Sequence, residues 1–278
     1  MMKIIGYYST IFFVLVLLGS CNSKQKEEAR ADEKLNEIEQ LINANAFNEA
    51  KSKIDSIHLE FPRLVNKRKI AAALADTITR RESARTLAYC DSILPKMKLK
   101  LDSLQVNFRF EKNDKYQEIG NYVYKSQITE QNTCRNYLKC YVDEKANFYL
   151  VSNVTGSKLN HRSLKLSTAN MFVITDTTSA SKADFHSFTV DGAYYETLTF
   201  VNKDENGVAA FVSEHKNERI KVSLIGIKKF DYYLTDGDKK AISETFEFWV
   251  IKRDIIQLER ESLKCQMKIG NINLRHSI

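Results

Sequence analysis

From Val106 onward the side chains stop recurring every three to four residues and begin to alternate every two. That switch constrains the fold more than any other feature. A period near 3.6 lines one face of a helix, whereas a period of two sends successive side chains to opposite faces of a strand. VNFRF, NYVYKSQI, YLKCYV, NFYLVSNV, SLKLST, MFVIT, FHSFTV, YYETLTFV, VAAFVS, IKVSLIGI and FDYYL are short, rich in β-branched and aromatic residues, and parted by turn-forming residues. NKDENG (Asn202 to Gly207) and HKNE (His215 to Glu218) read as hairpin connections. About ten strands with no helix between them predict an antiparallel sandwich or barrel over 105–235.

Helical periodicity flanks this region. Over 33–104, Leu35, Ile38, Leu41 and Ile42 recur at helical spacing, and Phe47, Ala50, Ile54 and Ile57 form a second stripe that Pro62 ends. Over 238–269, Ile242, Trp249, Ile256 and Leu263 recur every seven residues. Phe246 and Met267 extend that stripe, and Arg253 and Arg260 interrupt it. Asp238 reads as the cap of a helix beginning at Lys239. FEFWVI alone fits a strand, but its flanks favour a helix. The expected fold class is therefore α+β with a long C-terminal helix.

Phe47, Ala50 and Pro62 fall where the second helix of a tetratricopeptide repeat carries an aromatic, a small residue and a terminating proline, and the segment resembles that family. CDSILP (Cys90 to Pro95) echoes IDSIHLEFP (Ile54 to Pro62), although Arg81 stands where an aromatic is expected. The resemblance implies one and a half to two repeat-like units; helical hairpins of no repeat ancestry are the alternative. Helical repeats present concave surfaces to partner proteins.

The N-terminus supplies an address. Residues 1–20 hold Lys3, the apolar run IFFVLVLL and a Gly-Ser step, the layout of a signal peptide. The apolar part is too short to span about 30 Å of hydrocarbon. Leu18-Gly19-Ser20-Cys21 resembles the lipobox of bacterial lipoproteins, which implies cleavage before Cys21, acylation of Cys21 and anchorage in a lipid bilayer. An ordinary signal peptide with an incidental cysteine is the alternative. The polar tether over 21–32 resembles the Lys-and-acid export signals of Bacteroidota surface lipoproteins, so the outer membrane is the expected site, on either side. The overall layout resembles uncharacterised lipoproteins of that group, which bring no activity with them.

The rest of the sequence narrows the chemistry. Its +7 formal charge comes from 42 basic and 35 acidic residues spread along the chain. A nucleic-acid binder concentrates its basic residues on one face, so no nucleic acid is expected. The chain has no GxSxG, Walker-type GK[ST], GxGxxG, CxxC or HExxH pattern, so no catalytic residue, cofactor or metal is assigned. Among five histidines the nearest approach to a ligand pair is Asp184 with His186 on one strand face.

In the tyrosine-rich strands, Tyr195 and Tyr233 are candidates for an outward platform that binds a glycan or a protein. Ser56, Thr77, Ser92, Ser103 and Thr177 follow aspartates in a pattern that resembles the O-glycosylation acceptor of exported Bacteroidota proteins. Cys134 and Cys140 would lie about 20 Å apart on a continuous strand, beyond the reach of a disulfide. Cys90 with Cys265 would staple two helices, but free buried cysteines are expected. These features predict a non-enzymatic, membrane-anchored binding or scaffold protein with an envelope protein as partner. A carbohydrate-binding module or a hydrolase are the alternatives.

Overall fold

A computed structural model of the chain describes residues 24–177 and 184–276. The expected signal peptide and Cys21 lie outside these residues. The fold is α+β: the described residues form five helices, the last of them long, and ten strands, all paired antiparallel. The chain divides into two compact units. One holds the described residues through Asp91 together with those from Arg260; the other is Ser92–Glu259.

The first unit is helical. It contains α1 (24–43), α2 (Phe47–Glu60), the start of α3 (Val65–Gln105) and the end of α5 (Asp236–His276). The residues of the predicted stripes, Leu35, Ile38, Ile42, Phe47, Ala50, Ile54 and Ile57, are buried in one core. Asn45 turns the chain between α1 and α2 at φ 60°, a left-handed conformation that asparagine tolerates. Arg81, which stands where the repeat pattern has an aromatic, reaches the end of α1. It donates at 2.9 Å to the carbonyl of Ile42, which also accepts the Asn45 N–H at the end of α1. The second echo of the repeat does not end a helix: Pro95 lies inside α3. A proline within a helix removes one ladder bond without forcing the chain to leave the helix when packing holds both sides.

The second unit carries the sheets. A six-stranded sheet runs in the order β1 (Phe108–Glu111), β2 (Asn121–Tyr124), β3 (Tyr137–Asp143), β4 (Phe148–Thr155), β8 (Ala193–Val201), β7 (Phe185–Val190). A four-stranded sheet runs β10 (Lys229–Tyr233), β9 (Lys221–Ile225), β5 (Ser163–Ser167), β6 (Phe172–Ile174). One hydrophobic core draws on both sheets, with Leu138, Leu150 and Leu198 from the larger and Leu164, Val222 and Leu224 from the smaller. Phe248 of α5 joins that core and lies 4.6 Å from Phe108.

Several expectations fail here for local reasons. VAAFVS is not a strand but α4 (Val208–Glu214). Val208, Ala209, Phe211 and Val212 are buried along one helical face, and the Glu205 carboxylate accepts the N–H groups of Gly207 and Ala209 at the helix start. NKDENG and HKNE therefore lead into and out of a helix rather than forming hairpins. The C-terminal helix begins at Asp236, and its cap is Thr235, whose Oγ1 accepts the Asp238 N–H at 3.0 Å. The seven-residue stripe also fails at its end, since Leu263 and Met267 are exposed while Cys265 and Ile272 are buried. A straight helix drifts about 20° per heptad, so a strict seven-residue repeat rotates off the buried side.

None of the four described cysteines is in a disulfide, but Cys134 is exposed and CRNYLKC is not a continuous strand, because β3 begins only at Tyr137. Burial raises the Cys90 thiol, with Cys265 adding to the effect, and burial holds Cys140 well above its ordinary value. In a soluble Cys21→Ala protein, a maleimide should therefore modify Cys134 within minutes and spare the other three until the protein unfolds. Peptide mapping of the labelled protein checks this, and early labelling of Cys90 or Cys140 would contradict it.

Candidate functional site

Strand alternation makes the site. On β3, Leu138, Cys140 and Val142 enter the core, which leaves Tyr137, Lys139 and Tyr141 on the opposite face. In register beside them lie Val151, Asn153 and Thr155 of β4 and Tyr195, Thr197 and Thr199 of β8. These side chains floor a pocket of about 480 Å³, a size typical of small-molecule sites. Phe188 and Val190 of β7 form one wall, and the segment before β3, with Thr129, Asn132 and Arg135, forms another.

That second wall is tied down by side chains. Gln127 donates to the carbonyl of Leu138 and accepts the N–H of Cys140, so one buried amide serves an edge that β2 leaves unpaired. Asn132 donates to the carbonyls of Ser126 and Ile128, and Arg135 donates to Asn132 Oδ1. Arg135 also forms two 2.7 Å bonds to the Asp238 carboxylate.

The electrostatics of the floor are unusual for a sheet face. Lys139 is only 9% exposed. Burial pulls its ammonium below the ordinary lysine value, while Glu111 and Glu130 pull the other way. Its hydrogen bond goes to Thr129 Oγ1 at 3.0 Å. Asn153 Oδ1 takes a long contact from Thr197, and its Nδ2 is buried with no partner among the described residues. Burial pushes the Tyr141 hydroxyl up to about 12, and the Tyr141 ring stacks on Tyr149 at 4.5 Å. The floor thus offers unspent donors beside aromatic surface.

A second constellation sits on the core face of the same strands, and no sequence motif announced it. His161 Nδ1 bonds the Glu196 carboxylate, and His161 Nε2 lies 2.9 Å from Ser152 Oγ. The chemistry is that of a Ser–His–Glu relay. All three side chains are enclosed, however, and Glu196 also accepts the backbone N–H groups of Leu159, Asn160 and His161. A nucleophile needs room for a substrate, and Ser152 has none. The network is a latch that fastens the 159–161 loop to β4 and β8. Gly226 permits it, since a Cβ there would come within 2.3 Å of the Leu159 carbonyl oxygen.

Of the residues expected to form an outward platform, Tyr195 lines the pocket and stacks on Phe188 at 5.2 Å. Tyr233 lies on β10 of the other sheet, with the Arg219 guanidinium 3.7 Å above its ring. The two do not share a surface. Asp184 precedes β7 and His186 is exposed on it. Among the described residues no group of three or more His, Cys, Asp or Glu is placed to hold a metal ion.

Ser56 lies in α2, and Thr77, Ser92 and Ser103 in α3. The hydroxyls of Ser56, Thr77 and Ser103 donate to carbonyls one turn back. Thr177 is exposed outside any helix or strand. Among the described residues no helix is long and apolar enough to cross a membrane. No protein-family model, curated protein or solved structure matches this chain.

Proposed function

We propose that this chain is a lipid-anchored, non-enzymatic binding protein of the bacterial envelope, held in the outer membrane through acylated Cys21, with the β3–β4–β8 pocket as its ligand site. The observation that carries the binding role is the buried donor set of the pocket, Lys139 and Asn153, on a face that an ordinary sheet would give to solvent. The anchor rests on the Leu18–Cys21 pattern. A sandwich arrangement is supported by the single core that both sheets share. A tetratricopeptide-like packing of the first helices is supported by buried Phe47 and Ala50 ahead of Pro62. That region is the natural seat for an envelope protein partner. A glycan is the second reading for the pocket, favoured by Tyr195 on its floor.

Mass spectrometry of the protein purified from its own membrane tests both halves of the proposal. Under denaturing conditions the mass should exceed the polypeptide from Cys21 by a lipid, an increment that Cys21→Ala abolishes. Sugars on Ser56, Thr77, Ser92, Ser103 or Thr177 would add separate increments. Under native conditions a non-covalent adduct should accompany the wild type and be lost from Thr199→Trp, which fills the pocket. A bare polypeptide in both spectra would overturn the proposal.

A further inference from the structure

Among the described residues, the donors on the pocket floor outnumber the acceptors bonded to them. Lys139 carries three N–H donors and gives one to Thr129. Asn153 Nδ2 carries two and gives none. Lys139 faces Val151 across the β3–β4 ladder, and Asn153 stands two residues further along β4 on the same face. The two are therefore diagonal neighbours, within reach of one small group. The one carboxylate among the described residues lining the pocket, Glu196, is held by His161 and three backbone N–H groups on the core side. A buried cation and a buried unpaired amide donor are both costly to leave unmatched.

Apart from Thr155, Thr197 and Thr199, the remainder of the floor is apolar or aromatic. Val151 is buried, Tyr137 and Tyr141 flank Lys139 on β3, and Phe188 covers Tyr195. Flat apolar matter packs well against such surfaces.

We infer that the pocket binds a small organic carboxylate with a flat or apolar body, its two oxygens taken by Lys139 Nζ and Asn153 Nδ2. This rests on the reading of the pocket as the ligand site. A carboxylate is acceptor-only when ionised and has lone pairs enough for both donors. Its charge adds to the attraction of Glu111 and Glu130 for the buried ammonium, and at hydrogen-bond range. A neutral sugar would meet the same aromatic surface but bring no charge to the cation beyond what Glu111 and Glu130 supply.

Calorimetric titration of the soluble Cys21→Ala protein with 2-naphthoate and with its neutral isostere 2-naphthamide tests the inference. The naphthoate should bind about tenfold or more tighter than the amide, the span expected of a charge-assisted hydrogen bond. Lys139→Met should remove that preference and leave amide binding nearly unchanged. Equal binding of both probes by the wild type, which requires no variant to fold, would overturn the carboxylate inference and leave the pocket as a ligand site. Absence of binding by either probe would overturn the inference and the pocket reading together.

Discussion

Glu196→Ala lowers the stability of the β-rich unit by about 3–5 kcal/mol, the expected cost of removing one partner from a buried charged network. The carboxylate holds the His161 ring and three successive backbone N–H groups, and all of them lose their acceptor at once. The melting temperature should fall on the order of 10 °C. Glu196→Gln keeps the shape but turns an amide N–H₂ toward N–H groups, so it too should destabilise. Ser152→Ala removes one terminal hydroxyl bond and should cost only about 1 kcal/mol.

The same group sets a pH dependence. Burial alone would raise the Glu196 carboxyl, but the His161 side chain and the loop N–H groups outweigh it and hold the carboxyl below its ordinary 4.5. Its stabilisation is therefore complete above about pH 4.5 and is lost as pH falls through the lower folded value. Urea unfolding at a series of pH values should show a steeper acid loss for the wild type than for Glu196→Gln. Identical slopes would remove Glu196 from the account.

Asp238→Ala is the second large effect, at about 3 kcal/mol. Asp238 is nearly enclosed, accepts both arms of Arg135, and takes the Thr235 hydroxyl at the start of α5. Its loss leaves a half-buried guanidinium without its anion and loosens the segment that walls the pocket. Arg135→Ala should cost a similar amount, since it leaves the more deeply enclosed Asp238 carboxylate without its cation. A double-mutant cycle by chemical denaturation checks the link: Arg135→Ala should cost almost nothing once Asp238 is gone. Additive costs would mean that the two side chains act separately.

Much of the architecture was written in local patterns. The alternation of Leu138, Cys140 and Val142 against Tyr137, Lys139 and Tyr141 marked β3 as a strand, and Leu35, Ile38 and Ile42 marked the first helix. VAAFVS misled because apolar residues four or five in a row fit either period; only the Glu205 bonds to Gly207 and Ala209 decide for a helix. The pocket was half legible. Tyr195 could be placed facing outward by alternation, but nothing near Lys139 in the sequence says that the segment before β3 will fold over it. The latch was illegible, because Ser152, His161 and Glu196 come from β4, a loop and β8, and meet only when distant strands pair.

That distant pairing also bears on how the chain must be made. Asn153 and Thr197 are cross-strand partners 44 positions apart. At a synthesis rate of roughly 5–20 residues per second, β4 emerges some 2–9 seconds before β8 can cover its open edge. Until β8 pairs with it, the edge of β4 is bare, and a bare strand edge is a template for pairing with other chains. A holding chaperone that shields this edge should therefore govern the yield of the protein more than the stability of its finished fold.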